Sequence, residues 1–376
     1  MQDLYDFLTP VHVGNISEDN EYTDGQLGKH LKIFEEEIPE IQDVDIVLIG
    51  AGEQRGKGLL QSEGNAADQI RKHLYAAHYW HKDVVIADWG NVKTGALLQD
   101  SYAVLQMVVS EVIKKGKIAV ILGGTHDLTL AQCNAYRASN KIIEVTCIDA
   151  LINLRGDSPL REENFLLELL TGEPNNVRHY NHIGFQSYFV HPHLLETLDK
   201  LRFDCYRVGW AKEFIAELEP VIRNSNAVSF DICSIKNSDV PANHLSPNGF
   251  TGEEACMLSQ FAGMSTSISS FGIYGYDAEA DTHQMTARQM AQMIWYFIDG
   301  RSRLKNETPL IERNGFKEYH TIFAEVETIF LQNRRTGRWW MQMPDHNFIA
   351  CSQKDYQLAS MNEMPERWLR AQERMV

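Results

Sequence analysis

The 376-residue sequence predicts a three-layer α/β/α fold with a central, mostly parallel sheet of about eight strands. Three observations carry that expectation. Eight short β-rich runs alternate with longer stretches whose apolar residues recur at helical spacing, the pattern of βαβ units. Runs such as IVLIG (46–50) and IAVIL (118–122) are continuously apolar, as strands covered by helices on both faces must be. An apolar share of 44% supplies the material for a large core.

The elements follow in chain order. Residues 1–43 read as an irregular lead-in, because neither period 2 nor period 3.6 is sustained there. Strands are predicted at 45–52, 83–90, 117–124, 142–150, 179–186, 204–210, 226–233 and 269–276. Helices are predicted at 64–81, 94–115, 127–138, 192–201, 211–223, 252–264 and 284–299, where apolar residues return every three or four positions. The segment DSPLREENF (157–165) reads as a loop. With no Pro/Gly/Ser linker inside 45–300, residues 1–300 are expected to form one domain. Residues 301–376 form a separate C-terminal extension rich in Trp and Arg, RTGRWWMQM (335–343) and MPERWLRAQERM (364–375), expected as a packing or oligomerisation arm.

Composition excludes several classes. Lys and Arg number 35 against 51 Asp and Glu, a net charge of −16 that repels nucleic acid and anionic membrane surfaces. The apolar runs are strand-length, short of the ~18 residues of a membrane span. The N-terminal MQDLYDFLTP has no basic start and no continuous apolar run, so a cytoplasmic protein is expected. Six cysteines without a CxxC pair read as reduced thiols, with no zinc ribbon and no disulfide framework.

Polar residues at the strand ends break the apolar rule. After KIAVIL, Gly123 and Gly124 permit a tight turn and His126 emerges at the start of a helix. After IIEVTCI, alternation projects Asp149, Leu151 and Asn153 to one side. In NAVSFDIC the same alternation groups Asp231 with Cys233, and Ser229 lies behind them. Open α/β sheets bind ligands at the carboxyl ends of their strands, so the three segments should converge. One His and two Asp there could hold a hard cation or activate water, with Asn153 or Cys233 as additional donors.

In that order, GGTHD, DALIN and SFDICSIKNSDVP resemble the three signatures of the ureohydrolase superfamily, GG(D/N)HS, DAHxD and SxDxDxxDP. That superfamily includes arginases, agmatinases and formimidoylglutamases. The resemblance spans roughly 45–300, continuing through IGFQSY (183–188), PNGFTGEEA (247–255) and the helix TARQMAQMIWYFIDG (286–300). It implies an arginase-like fold and a binuclear manganese centre built by the residues at positions 126, 149, 151, 153, 231 and 233. His126, Asp149 and Asp231 match the pattern, whereas Leu151, Asn153 and Cys233 replace ligands and Lys236–Asn237 replaces DP. Registering on Asp281 and Thr286–Ala287 places Gly275 where the superfamily has a substrate-binding Glu.

The superfamily's chemistry is metal-dependent hydrolysis of a linear C–N bond in a guanidino or formimino substrate. These departures imply that the chain has lost the metal pair and that activity. The cofactor expectation is then no tightly bound ion, or at most one divalent metal, Mn²⁺ first, and Leu151 is expected to fill the vacated space. An active single-metal hydrolase is the alternative. The resemblance also implies a homo-oligomer, since members are commonly trimers or hexamers, and a small guanidino or formimino ligand.

Overall fold

The computed structural model describes residues 4–17, 21–59, 66–281 and 283–374. The lead-in contributes two short strands, β1 (Leu8–Thr9) and β2 (Lys32–Ile33), and one turn of helix, α1 (Val13–Ile16). It is therefore less irregular than its sequence suggests. Eight further strands follow: β3 (Ile46–Ala51), β4 (Ile86–Val92), β5 (Ile118–Leu122), β6 (Ile143–Ile148), β7 (Val177–Phe185), β8 (Asp204–Arg207), β9 (Ala227–Asp231) and β10 (Ser270–Tyr274). Each coincides with a predicted run. They pair in the order β4-β3-β5-β10-β9-β6-β7-β8, every neighbour parallel. β1 and β2 both add to β4, β1 antiparallel and β2 parallel.

Helices cover both faces of this sheet, as buried parallel strands require: α2 (Ala66–Ala76), α3 (Leu98–Lys114), α4 (Thr129–Asn134), α5 (Arg161–Thr171), α6 (Pro192–Lys200), α7 (Val208–Glu213), α8 (Glu219–Ile222), α9 (Gly252–Gly263) and α10 (Met285–Lys305). Residues 64–65 of the first predicted helix lie outside the described residues. The helix expected at 211–223 is broken into α7, a 3-10 turn (Ile215–Leu218) and α8, with Pro220 at the start of the last piece, where its missing N–H costs nothing. The segment 157–165 is only half a loop. Arg161 opens α5, whose Phe165, Leu166 and Leu169 face the core over an acidic first turn of Glu162 and Glu163, a start that suits the helix dipole.

A domain boundary at residue 300 would cut α10, which runs on to Lys305. Beyond it the extension folds as a small module. Four antiparallel strands, β11 (Phe316–Phe323), β12 (Val326–Asn333), β13 (Trp339–Gln342) and β14 (Phe348–Cys351), are followed by α11 (Gln353–Ser360) and α12 (Glu366–Glu373). Strand alternation sends Trp339 and Phe330 into one apolar cluster with Trp368, and Trp340 and Leu331 into another with Phe316. The tryptophans are thus spent on packing. Met375 lies outside the described residues.

The module closes one edge of the main sheet. On edge strand β8, Asp204 accepts from Arg370 and from Arg374 beyond α12, each at 2.9 Å, and lies 3.1 Å from His179 Nε2. Burial alone would raise the Asp204 carboxyl, but the His179 ring and the Arg374 guanidinium reverse this and hold it well below the usual carboxylate range. A carboxyl depressed in the folded state stabilises above its unfolded value of ~3.9 and loses that contribution as pH falls through the folded value. Asp204→Asn should therefore cost about 1.5–3 kcal/mol at pH 7, the range of hydrogen bonds to charged groups. Denaturation from pH 7 down to pH 2 should show parent and variant converging only at the acid end. A gap independent of pH would contradict this role for Asp204.

Candidate functional site at the strand ends

The site begins with the turn that closes β5. Gly123 and Gly124 have φ of +85° and +78°, conformations that glycine adopts without a side-chain clash. They deliver His126 into a buried 3-10 turn, His126–Leu128, ahead of α4. Because β5, β6 and β9 run parallel, their carboxyl ends share one edge, and His126, Asp149 and Asp231 meet there. His126 Nδ1 stands 2.9 Å from Asp149 Oδ2 and 3.4 Å from Asp231 Oδ2. On the other side of the ring, Nε2 is 2.9 Å from Ser229 Oγ, which Thr129 Oγ1 also contacts at 2.5 Å. All three charged residues are buried.

The substituted positions surround the same carboxylate. Asn153 Nδ2 donates to Asp149 Oδ2 at 2.8 Å, while the Cys233 thiol and the Leu151 backbone N–H reach Asp149 Oδ1 at 3.0 and 2.9 Å. Cys233 arrives by a different route from the predicted alternation. Asp231 caps a 3-10 turn, Ile232–Ser234, and accepts the Cys233 N–H at 2.7 Å. Leu151 is half-buried and belongs to none of the buried apolar clusters. At Gly275, φ is +84° and a Cβ would stand 2.5 Å from Asp231 Oδ1. The register that gives Gly275 the superfamily's glutamate therefore names a position where this chain has no room for a side chain.

Sequence reasoning missed three neighbours. Asp127, directly after His126, is buried and accepts from Tyr102. Glu162 lies in the first turn of α5, and Lys57, at the end of a 3-10 turn (Arg55–Lys57), pairs with it at 3.5 Å. The signal for Glu162 was present: Phe165, Leu166, Leu169 and Leu170 mark one helical face behind an acidic start. Lys57 carried no comparable sequence signal, because its position depends on how the 52–58 loop folds back.

The electrostatics follow from burial and crowding. Burial alone would lower His126, yet the Asp149 carboxylate against Nδ1 holds the ring well above the usual histidine value. Burial likewise opposes ionisation of Asp149, but His126 brings that carboxyl below its ordinary value. Burial and the neighbouring Asp149 push Asp231 up, with His126 opposing. Burial raises Glu162 to about 7 despite Lys57. Burial, then Asp149 and Asp231, drive Cys233 well above its ordinary value, so it is present as a thiol. One imidazolium thus serves two carboxyls.

Two divalent ions do not fit these residues. Among the described residues the donor atoms that could close on one cation are those of His126, Asp149 and Asp231, all within 4.8 Å of one another. Leu151 has no lone pair to offer, and two carboxylates cannot balance four positive charges. A single hard cation fits the donor chemistry.

Known proteins share the fold. A formimidoylglutamase of Staphylococcus haemolyticus (strain JCSC1435) is 23% identical over 232 residues, 57% of this chain and 72% of that protein. Among solved structures, Trypanosoma cruzi formiminoglutamase, determined with Mn²⁺, superposes with a TM-score of 0.66 at 18% identity, over 74% of this chain and 99% of that one. Formimidoylglutamase from Bacillus subtilis gives a TM-score of 0.64 at 15% identity, over 80% and 98% of the two chains. Those likenesses establish the fold. The profile described as "Arginase family" matches residues 44–299, the stretch that carries all three strand-end motifs, and on that match the chain belongs to the arginase family.

Proposed function

We propose that this chain is a non-hydrolytic member of the arginase family, in which protein hydrogen bonds have taken over the binuclear centre and the fold persists for binding or assembly. The observation that carries this reading is the saturation of Asp149. Its two oxygens receive His126 Nδ1, Asn153 Nδ2, the Cys233 thiol and the Leu151 N–H, all at 2.8–3.0 Å. Each donor would have to be displaced or turned before that carboxylate could bridge two ions, and a buried donor left without a partner costs about 1–3 kcal/mol.

The residues have distinct roles. Ser229 fixes the His126 ring, His126 neutralises Asp149, and Asn153 and Cys233 replace ligands by donors. Asp231 and Glu162 remain as carboxyls that can meet a small guanidino or formimino head group. The alternative, a single-metal hydrolase, is favoured by the cluster of His126, Asp149 and Asp231. Those three residues would hold one divalent ion, Mn²⁺ or Mg²⁺ by donor type, whose chemistry when bound is to activate a water.

Turnover separates the two readings. With Mn²⁺ added, the purified chain should release neither urea from arginine or agmatine nor formamide from formiminoglutamate above a denatured-protein blank. Saturable release abolished by Asp149→Asn would favour the single-metal enzyme. We also propose self-association, for which light scattering should give a mass above the 43.0 kDa of one chain, and a monomer mass would refute it.

A further inference from the structure

We propose that the Lys57 ammonium, held beside the site by its pair with Glu162, supplies the positive charge that a divalent ion would otherwise bring to the Asp231 and Glu162 carboxyls. This rests on the metal-free reading above and extends it to a residue outside the family's motifs.

The first support is the seating of the loop. Arg55 anchors the turn that carries Lys57, donating to Glu53 Oε1 at 2.9 Å, to the Ala96 carbonyl at 2.7 Å and to the Gly95 carbonyl at 2.9 Å. Gly56 lies so close to Asp127 that a Cβ there would run into its carboxylate. The turn is therefore pressed onto the residue next to His126. The second is the salt bridge: Lys57 Nζ is 3.5 Å from Glu162 Oε1, whose side chain is largely buried. The third is the charge balance. His126 Nδ1 lies closer to Asp149 than to Asp231, at 2.9 against 3.4 Å, which leaves Asp231 and Glu162 for the ammonium.

The other basic side chains nearby are engaged elsewhere, Arg55 with Glu53 and Arg161 with Glu168. Burial would lower the Lys57 ammonium, but Glu162 first and then Asp231 hold it above its ordinary value. Its side chain is half-exposed, which lets the long stem carry a hydrated charge to the rim without full desolvation. Lysine is suited to this place because its ammonium is a compact point charge that needs no fixed coordination geometry.

The test is Mn²⁺ titration of the full chain by calorimetry, paired with thermal melting in EDTA and in Mn²⁺, for the parent, Lys57→Met and Lys57→Arg. The parent and Lys57→Arg should respond little to the metal. Lys57→Met should bind Mn²⁺ at least tenfold more tightly than the parent and show an EDTA-reversible rise in melting temperature. Should Lys57→Met fold poorly, Lys57→Gln repeats the comparison with a neutral polar side chain. If the parent and both neutral variants are equally indifferent to Mn²⁺, the proposal is overturned and the metal-free reading survives. If the parent itself takes up Mn²⁺ tightly and no more weakly than the neutral variants, both fall.

Discussion

Arg223→Met should destabilise the protein by about 3–5 kcal/mol, the cost of breaking a buried ion pair from one side. Arg223 is fully buried just after α8 and joins the main domain to the C-terminal module. It pairs with Glu219 through both Nε and Nη2, and donates through Nη1 to the Trp339 carbonyl at 2.6 Å. Its guanidinium also lies 4.6 Å from the Trp340 ring centroid. Methionine preserves much of the stem volume but leaves Glu219 buried with Arg338 as its remaining cation, at 2.9 Å. Strands β13 and β14 would lose their tie to the main sheet. Urea denaturation should show the loss as an early transition, accompanied by protease cleavage within 306–374. A change below ~1 kcal/mol, or cleavage distributed evenly over the chain, would show that the module is held by its apolar contacts instead.

The second large effect is the return of metal binding. Combining Leu151→His, Asn153→Asp and Cys233→Asp replaces an apolar side chain and two hydrogen-bond donors to Asp149 by one imidazole and two carboxylates. The variant should bind Mn²⁺ strongly, and saturation at 100 times the dissociation constant would stabilise it by about 2.7 kcal/mol. Without metal it should be less stable than the parent, because carboxylates would crowd around His126 with nothing to balance them. Gly275 must stay as it is, since φ of +84° and the nearby Asp231 leave no place for a side chain. Melting curves with EDTA and with Mn²⁺ provide the check. A folded triple variant that gains no Mn²⁺ affinity over the parent would mean that the three strand ends no longer hold a metal-binding geometry.

The difference between what was legible and what was not is physical. The eight parallel strands could be read because burial on both faces forces continuous apolar runs, and Gly123–Gly124 marked the turn that exposes His126. Asp149 and Asp231 stood out because a carboxylate at the end of such a run has no packing role. Strand alternation does not describe Leu151 and Asn153, because β6 ends at Ile148 and the chain bends beyond it. Cys233 reached the site through a 3-10 turn that no periodicity describes. Lys57 and Glu162 meet through a loop and a helix start far apart in sequence, so neither alone signals the pair. The extension's Trp and Arg content was read as a packing or oligomerisation arm, but that adjacent Trp339 and Trp340 face opposite ways is intelligible only once β13 is known to be a strand.

The central claim is that the protein's own hydrogen bonds around Asp149 stand where a metal pair would. It is tested most directly by metal stoichiometry: the full chain is equilibrated with excess Mn²⁺, desalted, and assayed for manganese per polypeptide. The account predicts less than one ion per chain and no pair. Two tightly held manganese ions per chain would contradict it.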